Sequence, residues 1–242
     1  MQLCFRVQLP EKQGGLNGDA LYIDTEDSFR PDRLEQIATS YYKKRKINEQ
    51  LLKFRLKEIQ MRIHLRKVQT NIENFLEMIT GGELEAFLDA YSNIRLIVVD
   101  SVAYHFRFGY DGSKDKKTHQ LTKLAKSLKE IAVQRNIAIF ITNQVSMDNA
   151  PTLGQLWNSV CSTSLLLRRV SNEFSIGYLD EEEKVNHGSQ LTIITKRQCK
   201  VLKSCSTNPY EQRFYYILTV LIFHLIRQVL ITFASFILGS RS

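Results

Sequence analysis

The sequence predicts an α/β fold whose sheet is mainly parallel. Strand-like and helix-like segments alternate through residues 1–207, which is the pattern of strands joined by covering helices. Two short runs, 96–99 and 137–141, are continuously apolar instead of alternating with polar residues. Such runs are typical of parallel strands that helices cover on both faces.

The first half of the chain predicts strands separated by helices. In order, the segments are a strand at 20–26, a helix at 30–46, a charged helical or irregular stretch at 47–60, a strand at 61–68, a helix at 70–91 and a strand at 95–103. Pro31 suits the start of its helix, because the N–H that proline lacks has no partner in the first turn. Gly81 and Gly82 predict a break in the helix that contains them.

The second half predicts a polar loop at 108–117 and then an amphipathic helix at 118–135. Four apolar residues share one face of this helix at spacings of three and four: Leu121, Leu124, Leu128 and Ile131. The later segments are a strand at 137–145, a surface loop at 146–154, and strands at 164–170 and 190–197.

An apolar segment at 217–238 differs in composition from the chain before it. It is long enough to cross a bilayer, but Arg227 near its centre would cost about 2.5–3.5 kcal/mol on insertion. We therefore expect a core at 1–207 and a separate hydrophobic tail at 208–242, which we interpret as an aberrant carboxyl-terminal end with no membrane partner. A tail-anchored membrane protein is the alternative.

Charge and cysteine content limit the function classes. The formal net charge of +8 fits a polyanionic partner such as nucleic acid, although an ordinary basic surface would give the same value. The four cysteines form no C-x-x-C pair, so we expect neither a disulfide framework nor a zinc site.

Polar side chains stand at the ends of three predicted strands: Glu26, Asp100 and Gln144. Because ligands bind beyond the carboxyl ends of parallel strands, we expect these side chains to share one site. Asp100 would hold Mg²⁺, Glu26 would orient or deprotonate a water, and Gln144 would sense a terminal phosphate. Each residue taken alone is better explained as a solvated turn residue.

Three motifs together are more specific than these single residues. The stretches LYIDTEDSFRPDRL, RLIVVDSVA and ITNQV, in that order, closely resemble the RecA-type recombinases of eukaryotes. The opening MQLCFRVQLP and the stretch GGLNGDALYIDTEDSFRPDRL resemble the DNA-repair paralogues of that family. The C-type paralogue is nearest and the X-ray-complementing type is the alternative. The resemblance covers about residues 1–205.

The resemblance implies a RecA-like P-loop NTPase core that uses ATP and Mg²⁺. Glu26 would be the catalytic glutamate, and Asp100 would hold the magnesium ion and the nucleotide. Gln144 would couple the nucleotide state to DNA binding. The implied function is ATP-dependent recombinational repair in the nucleus, on single-stranded or branched DNA, within a complex of recombinase paralogues.

The resemblance also implies a DNA-binding region. Residues 104–117 occupy the place of the family's first DNA-binding loop, and residues 146–154 occupy the place of the second. The candidate phosphate contacts are Arg107, Lys114, Lys116 and Lys117. The second loop is short and has no basic residue. An exposed loop that charge keeps soluble explains these residues equally well.

The sequence does not contain the phosphate loop that such a core requires. That loop has the form G-x-x-x-x-G-K-[ST] and holds phosphates with its backbone N–H groups and its Lys. No Gly in this sequence is followed by Lys. We therefore expect a core that lacks its first strand and phosphate loop, as in a chain truncated at its amino terminus, and a defective ATPase. A non-catalytic module that binds another paralogue is the alternative.

Overall fold

The computed structural model describes residues 1–69, 71–107, 110–144, 152–154, 157, 160–169, 195–204 and 212–217. The chain divides into two compact units between Cys161 and Ser162. The candidate residues predicted from the sequence belong to the first unit. The predicted boundary at residue 207 lies outside the described residues and stays a prediction.

A four-stranded parallel sheet forms the centre of the first unit. Its strands are β1 (Asp19–Asp24), β2 (Ile63–Lys67), β3 (Ile94–Asp100) and β4 (Ala138–Ile141). Their order across the sheet is β2-β1-β3-β4, and each neighbouring pair is parallel. The predicted α/β fold with a mainly parallel sheet is therefore confirmed.

Helices connect these strands in the predicted alternation. They are α1 (Gln2–Arg6), α2 (Pro31–Lys43), α3 (Glu49–Met61), α4 (Ile72–Thr80), α5 (Glu83–Ala90), α6 (Tyr104–Arg107) and α7 (Lys114–Arg135). The predicted break separates α4 from α5. There Gly82 adopts a φ of 95°, a left-handed conformation that glycine reaches without a steric penalty. Pro31 is the first residue of α2, as predicted.

Helices pack on both faces of the sheet. On one face, alternate residues of β1 and β3, such as Ile23 and Val99, form one core cluster with Phe75 of α4 and Leu124 of α7. On the other face α1 packs against β1 and β3, and Phe5 is fully buried. Burying a side chain of this size contributes about 1.5–3 kcal/mol. The core therefore fixes the two strands whose ends form the candidate site.

Helix α7 begins earlier than the sequence predicts. The predicted loop at 108–117 ends at Ser113, whose hydroxyl oxygen accepts a hydrogen bond from the Lys116 N–H and caps the helix. The prediction missed this start because the apolar residues of the helix begin more than one turn later. Lys114, Lys116 and Lys117 therefore lie in the first turn of α7 and not in a loop.

An antiparallel sheet forms the second unit, in the order β5-β6-β7. Its strands are β5 (Ser164–Arg169), β6 (Thr195–Lys203) and β7 (Gln212–Ile217). The strand predicted at 164–170 is confirmed. Of the strand predicted at 190–197, the structure describes only the part from Thr195, and β6 continues past the predicted end to Lys203.

Most of the predicted hydrophobic tail also lies outside the described residues. Strand β7 falls within its first part and pairs with β6. Of the apolar segment 217–238, the structure describes only Ile217. In the part of the chain that is described, no helix has both the length and the apolar character needed to span a membrane.

His105 should make the stability of the first unit depend on pH. It is 4% exposed, and its Nε2 lies 2.8 Å from the carbonyl oxygen of Val68, to which the neutral ring can donate. Burial lowers the pKa of His105 below its ordinary value of 6.5. Below that value the unfolded chain binds a proton that the folded chain does not bind. The free energy of unfolding should therefore fall as the pH decreases through and below about 6.5.

The substitution His105→Gln should flatten this pH dependence, as measured by urea unfolding across a pH series. His119 is exposed on α7 and provides the matched control, so His119→Gln should leave the profile unchanged. A profile with the same slope in His105→Gln and in the parent chain would show that another group is responsible.

Candidate functional site

The strand order creates a crevice at the carboxyl ends of β1 and β3. The chain runs from β1 to β2 toward one edge of the sheet, and from β3 to β4 toward the opposite edge. In open α/β sheets, ligands bind outside the strand ends at such a switch point. Asp24 and Asp100 are the last residues of β1 and β3 and are partners in register. The crevice therefore begins between two carboxylates.

Asp24 shapes the loop that follows β1. Its side chain is fully buried, and its Oδ1 accepts hydrogen bonds from the backbone N–H groups of Glu26 at 3.2 Å and Ser28 at 3.0 Å. Its Oδ2 accepts from the N–H of Phe29 at 2.9 Å. A carboxylate that accepts several backbone N–H groups folds the chain tightly around itself. This loop places Glu26 beyond the end of β1, beside the crevice.

Hydroxyl groups hold the carboxylate of Asp100 from both sides. Thr142 Oγ1 donates to Oδ1 at 2.6 Å, while Ser28 Oγ donates to Oδ2 at 3.1 Å. The Tyr22 hydroxyl also donates to Oδ2. Burial, together with the hydrogen bond to Asp100, raises the pKa of Tyr22, so its hydroxyl keeps the proton that it donates. Asp100 itself is only partly buried, which leaves its carboxylate accessible from the crevice.

Ser101 and Gln144 hold the carboxylate of Glu26. Ser101 Oγ donates to Glu26 Oε1, and the Gln144 side-chain amide donates to Oε1 at 3.1 Å and to Oε2 at 3.2 Å. Thr25 fixes the spacing, because its hydroxyl accepts from the Ser101 N–H at 2.8 Å. The structure thus brings Glu26 and Gln144 into contact and places Asp100 one residue before the serine that binds Glu26.

Gln144 is also connected to the segment that follows it. The Thr152 N–H donates to the Gln144 carbonyl oxygen at 3.1 Å, and the Thr152 hydroxyl donates to the same oxygen at 3.0 Å. The side-chain Oε1 of Gln144 is buried and has no hydrogen-bond partner within the described residues. A buried acceptor of this kind normally binds a water or a ligand donor. Gln144 therefore bonds Glu26 through its side-chain amide and Thr152 through its backbone carbonyl oxygen. Its side-chain Oε1 is left to accept a hydrogen bond from a water or a ligand.

The residues present fit a hydrated magnesium ion better than they fit a whole triphosphate. Mg²⁺ is commonly bound by one or two carboxylates and keeps several waters, and Asp100 can serve in this way. Glu26 can accept a proton from a water or orient it. The described residues contain no cluster of three or more His, Cys, Asp or Glu side chains that could hold a metal. Since the sequence has no Gly-Lys pair, it offers no phosphate-binding loop of the usual form.

The predicted basic residues follow β3 in sequence. Arg107 ends α6 and is exposed, and Lys114 and Lys116 are exposed in the first turn of α7. Lys117 differs, because its Nζ donates to the carbonyl oxygen of Phe106 at 3.0 Å. A helix amino terminus carries partial positive charge, so lysines there do not stabilise the helix but do add to its attraction for phosphate.

Sequence patterns predicted the acids and the amide but not the side chains that hold them. The patterns missed Tyr22, Asp24, Ser28, Ser101 and Thr142. Asp24 had a detectable signal, since an Asp at the end of a strand followed by a turn commonly bonds the backbone after it. The others had none, because their contacts join segments that are distant in sequence.

The family of this chain follows from its similarity to known proteins. A model of the Rad51 family matches residues 1–159, which include Glu26, Asp100 and Gln144. The chain belongs to the Rad51 family. The family binds ATP, and its RecA-like core agrees with the parallel sheet of the first unit. The predicted resemblance to eukaryotic RecA-type recombinases is therefore confirmed at the level of the family.

Curated relatives of this Rad51-family chain include two meiotic recombination proteins. DMC1 of Saccharomyces cerevisiae is 30% identical over 199 residues, which cover 74% of this chain and 53% of the yeast protein. DLH1 of Candida albicans is 30% identical over 199 residues, which cover 74% of this chain and 55% of that protein.

A repair protein matches equally well. The DNA repair protein RAD51 homolog 3 of Dictyostelium discoideum is 30% identical over 186 residues, which cover 69% of this chain and 47% of that protein. The chain spans about half the length of the curated relatives it matches. Since meiotic and repair proteins match at the same identity, the comparison does not single out the C-type paralogue.

Proposed function

We propose that this Rad51-family chain acts in homologous-recombination repair in the nucleus, as a DNA-binding paralogue that responds to ATP and Mg²⁺ within a complex of other paralogues. The observation that carries this proposal is the arrangement of Glu26, Asp100 and Gln144 at one crevice of the sheet. The C-type paralogue is the subtype that we propose, supported by the sequence motifs and by the match to RAD51 homolog 3 of Dictyostelium.

Each residue of the crevice has a distinct proposed role. Asp100 holds the magnesium ion and with it the nucleotide, because its carboxylate is partly accessible and is oriented by three hydroxyl groups. Glu26 positions a water for attack on a terminal phosphate. Gln144 reports the state of that phosphate to the following segment, since it contacts both Glu26 and Thr152.

These 242 residues alone should show no measurable ATPase. Positioning of the phosphates is most of phosphoryl-transfer catalysis, and the sequence supplies no Gly-Lys phosphate loop for it. The measurement is phosphate release by the purified chain with Mg²⁺ and DNA. Turnover that requires Mg²⁺ and is lost in Asp100→Ala would contradict this prediction.

DNA binding should be weak and mainly electrostatic, with its centre at the start of α7. Replacing both Lys114 and Lys116 by Ala should flatten the plot of log affinity against log salt by about one to two units on single-stranded DNA, because each phosphate contact contributes about 0.7. Lys117 is less suitable for this test, since its Nζ bonds Phe106. Fluorescence anisotropy across a salt series measures the slope.

The matched control lies farther along the same helix. Lys123 and Lys129 are exposed on α7, and replacing both by Ala removes the same charge without touching its first turn. If the two double variants change the slope equally, DNA senses only the overall charge of the helix, and Lys114 and Lys116 are not specific contacts.

A non-catalytic module that binds another paralogue is the second candidate function. The observation that favours it is that no Gly in the sequence is followed by Lys. Binding to a partner protein requires no triphosphate and therefore no phosphate loop. Affinity for a purified Rad51 paralogue that is equal with ATP, with ADP and without nucleotide would support this module. Affinity that rises with ATP and falls in Asp100→Ala would support the first proposal instead.

A further inference from the structure

Helix α3 has apolar residues on two opposite faces, and the core uses only one of them. Its inward face consists of Leu52 and Leu56, which are partly buried, and Ile59, which is 5% exposed. On the outward face, Leu51 is 41% exposed and Phe54 is 63% exposed. Met61, at the end of the helix, is 74% exposed.

The outward residues lie on one narrow face, here called the α3 stripe (Leu51, Phe54 and Met61). At 100° per residue, the three side chains fall within about 80° of arc, and Leu51 and Met61 are about 15 Å apart along the axis. Single exposed apolar residues are common, but an aligned set that includes a phenylalanine and a methionine is characteristic of an interaction surface.

The α3 stripe belongs to a firmly held helix. The Asn48 side chain caps its amino terminus by accepting from the Leu51 N–H at 2.8 Å. Near the carboxyl terminus, the Gln8 amide donates to the carbonyl oxygen of Ile59 at 3.1 Å. Arg62 then donates to Asp19 at 2.7 Å. The exposure of the stripe is therefore a feature of a helix anchored at both ends and not of a frayed terminus.

The charge around the α3 stripe indicates what covers it. Residues 43–58 carry seven Lys or Arg residues and two acidic residues, Glu49 and Glu58, and Glu58 is paired with Arg55. Lys53 and Lys57 are exposed on α3 beside the stripe. A second copy of this chain would bring the same positive charge against itself, and phosphates would leave the apolar side chains uncovered. An acidic segment with an apolar face satisfies both features.

We propose that the α3 stripe is a docking surface for an acidic amphipathic helix of a partner protein. The partner's apolar residues cover Leu51, Phe54 and Met61, and its carboxylates lie near Lys53 and Lys57. This mode of recognition, in which helical residues dock at spacings of three, four and seven, needs about three turns of partner helix for a stripe of this length.

The test uses the full chain and two synthetic helical peptides as probes. Both peptides carry leucines along one face, and the remaining positions are glutamate in one and lysine in the other. We expect the Leu/Glu peptide to bind and the Leu/Lys peptide not to bind. The substitutions Phe54→Ser and Met61→Ser together should weaken binding of the Leu/Glu peptide by about tenfold or more. Lys53→Glu with Lys57→Glu should do the same.

Val133 supplies the control, because it is 62% exposed on a different helix, α7, so Val133→Ser should leave the affinity unchanged. Circular dichroism checks that each variant is folded, and the lysine pair tests the surface even if the apolar pair disturbs folding. Equal binding of the two peptides, no binding of either, or an affinity unchanged in both double variants overturns the proposal. The proposal is also overturned if the two double variants change self-association or single-stranded DNA binding and leave peptide binding unchanged.

Discussion

Replacing Asp24 by Ala should lower the free energy of unfolding of the first unit by about 3 kcal/mol. The buried carboxylate accepts three backbone hydrogen bonds from the loop after β1, and Ala would leave those N–H groups without their partner. Since the loop also places Glu26, the loss should extend to the crevice. Urea unfolding followed by circular dichroism measures the change.

Asp27 is the matched control for this substitution. It stands in the same loop, but its side chain is 62% exposed and pairs with Lys67 at the surface at 2.5 Å. Solvent screens such pairs, and Asn tolerates the left-handed φ of 54° that Asp27 adopts, so Asp27→Asn should leave the free energy of unfolding nearly unchanged. If Asp24→Ala and Asp27→Asn have equal effects, the buried hydrogen bonds of Asp24 do not organise the loop.

Glu26→Gln should reduce ATP hydrolysis by about 10²–10⁴-fold once a phosphate loop is supplied, because general-base catalysis contributes about that much. The extended chain needed for this test is a chimaera in which a strand and phosphate loop from a Rad51-family protein precede Met1. Gln keeps the shape of Glu26 and can still bond Ser101, but it cannot accept a proton from water. Nucleotide binding should persist, so the loss should appear in kcat.

Asp27→Asn in the extended chain provides the control, since it neutralises the adjacent acid without entering the crevice. Its hydrolysis rate should equal that of the extended parent. Should Glu26→Gln hydrolyse ATP as fast as that parent, Glu26 is a turn residue held by Ser101 and Gln144, and the catalytic role belongs elsewhere.

The sequence predicted the sheet because its signals there are local. The apolar run Leu96–Val99 and the apolar spacing of α7 predict buried positions from residue type alone, and these residues are buried in the structure. Predicted ends were less accurate. Strand β4 stops at Ile141 and not at residue 145, and α7 starts at its Ser113 cap, because ends depend on hydrogen bonds and not on periodicity.

The candidate site was predictable only in part for the same reason. Glu26, Asp100 and Gln144 follow strands, and parallel strands end at one edge, so their proximity follows from the fold class. The contacts of Ser101 with Glu26 and of Thr142 with Asp100 join residues that are far apart in sequence. No spacing rule in a single sequence relates such pairs, so only the folded arrangement reveals them.

The most direct test of the proposed site is Mg²⁺-dependent ATP binding by the extended chain and its Asp100→Asn variant. Isothermal titration in Mg²⁺ and in EDTA measures it, with Asp27→Asn as the control of equal charge. We predict tight binding in Mg²⁺ for the parent and the control, and affinity at least about tenfold weaker for Asp100→Asn, since the carboxylate that holds the metal is lost. Equal Mg²⁺-dependent affinity in Asp100→Asn and the parent would contradict the assignment of the crevice at the ends of β1 and β3 as the nucleotide site.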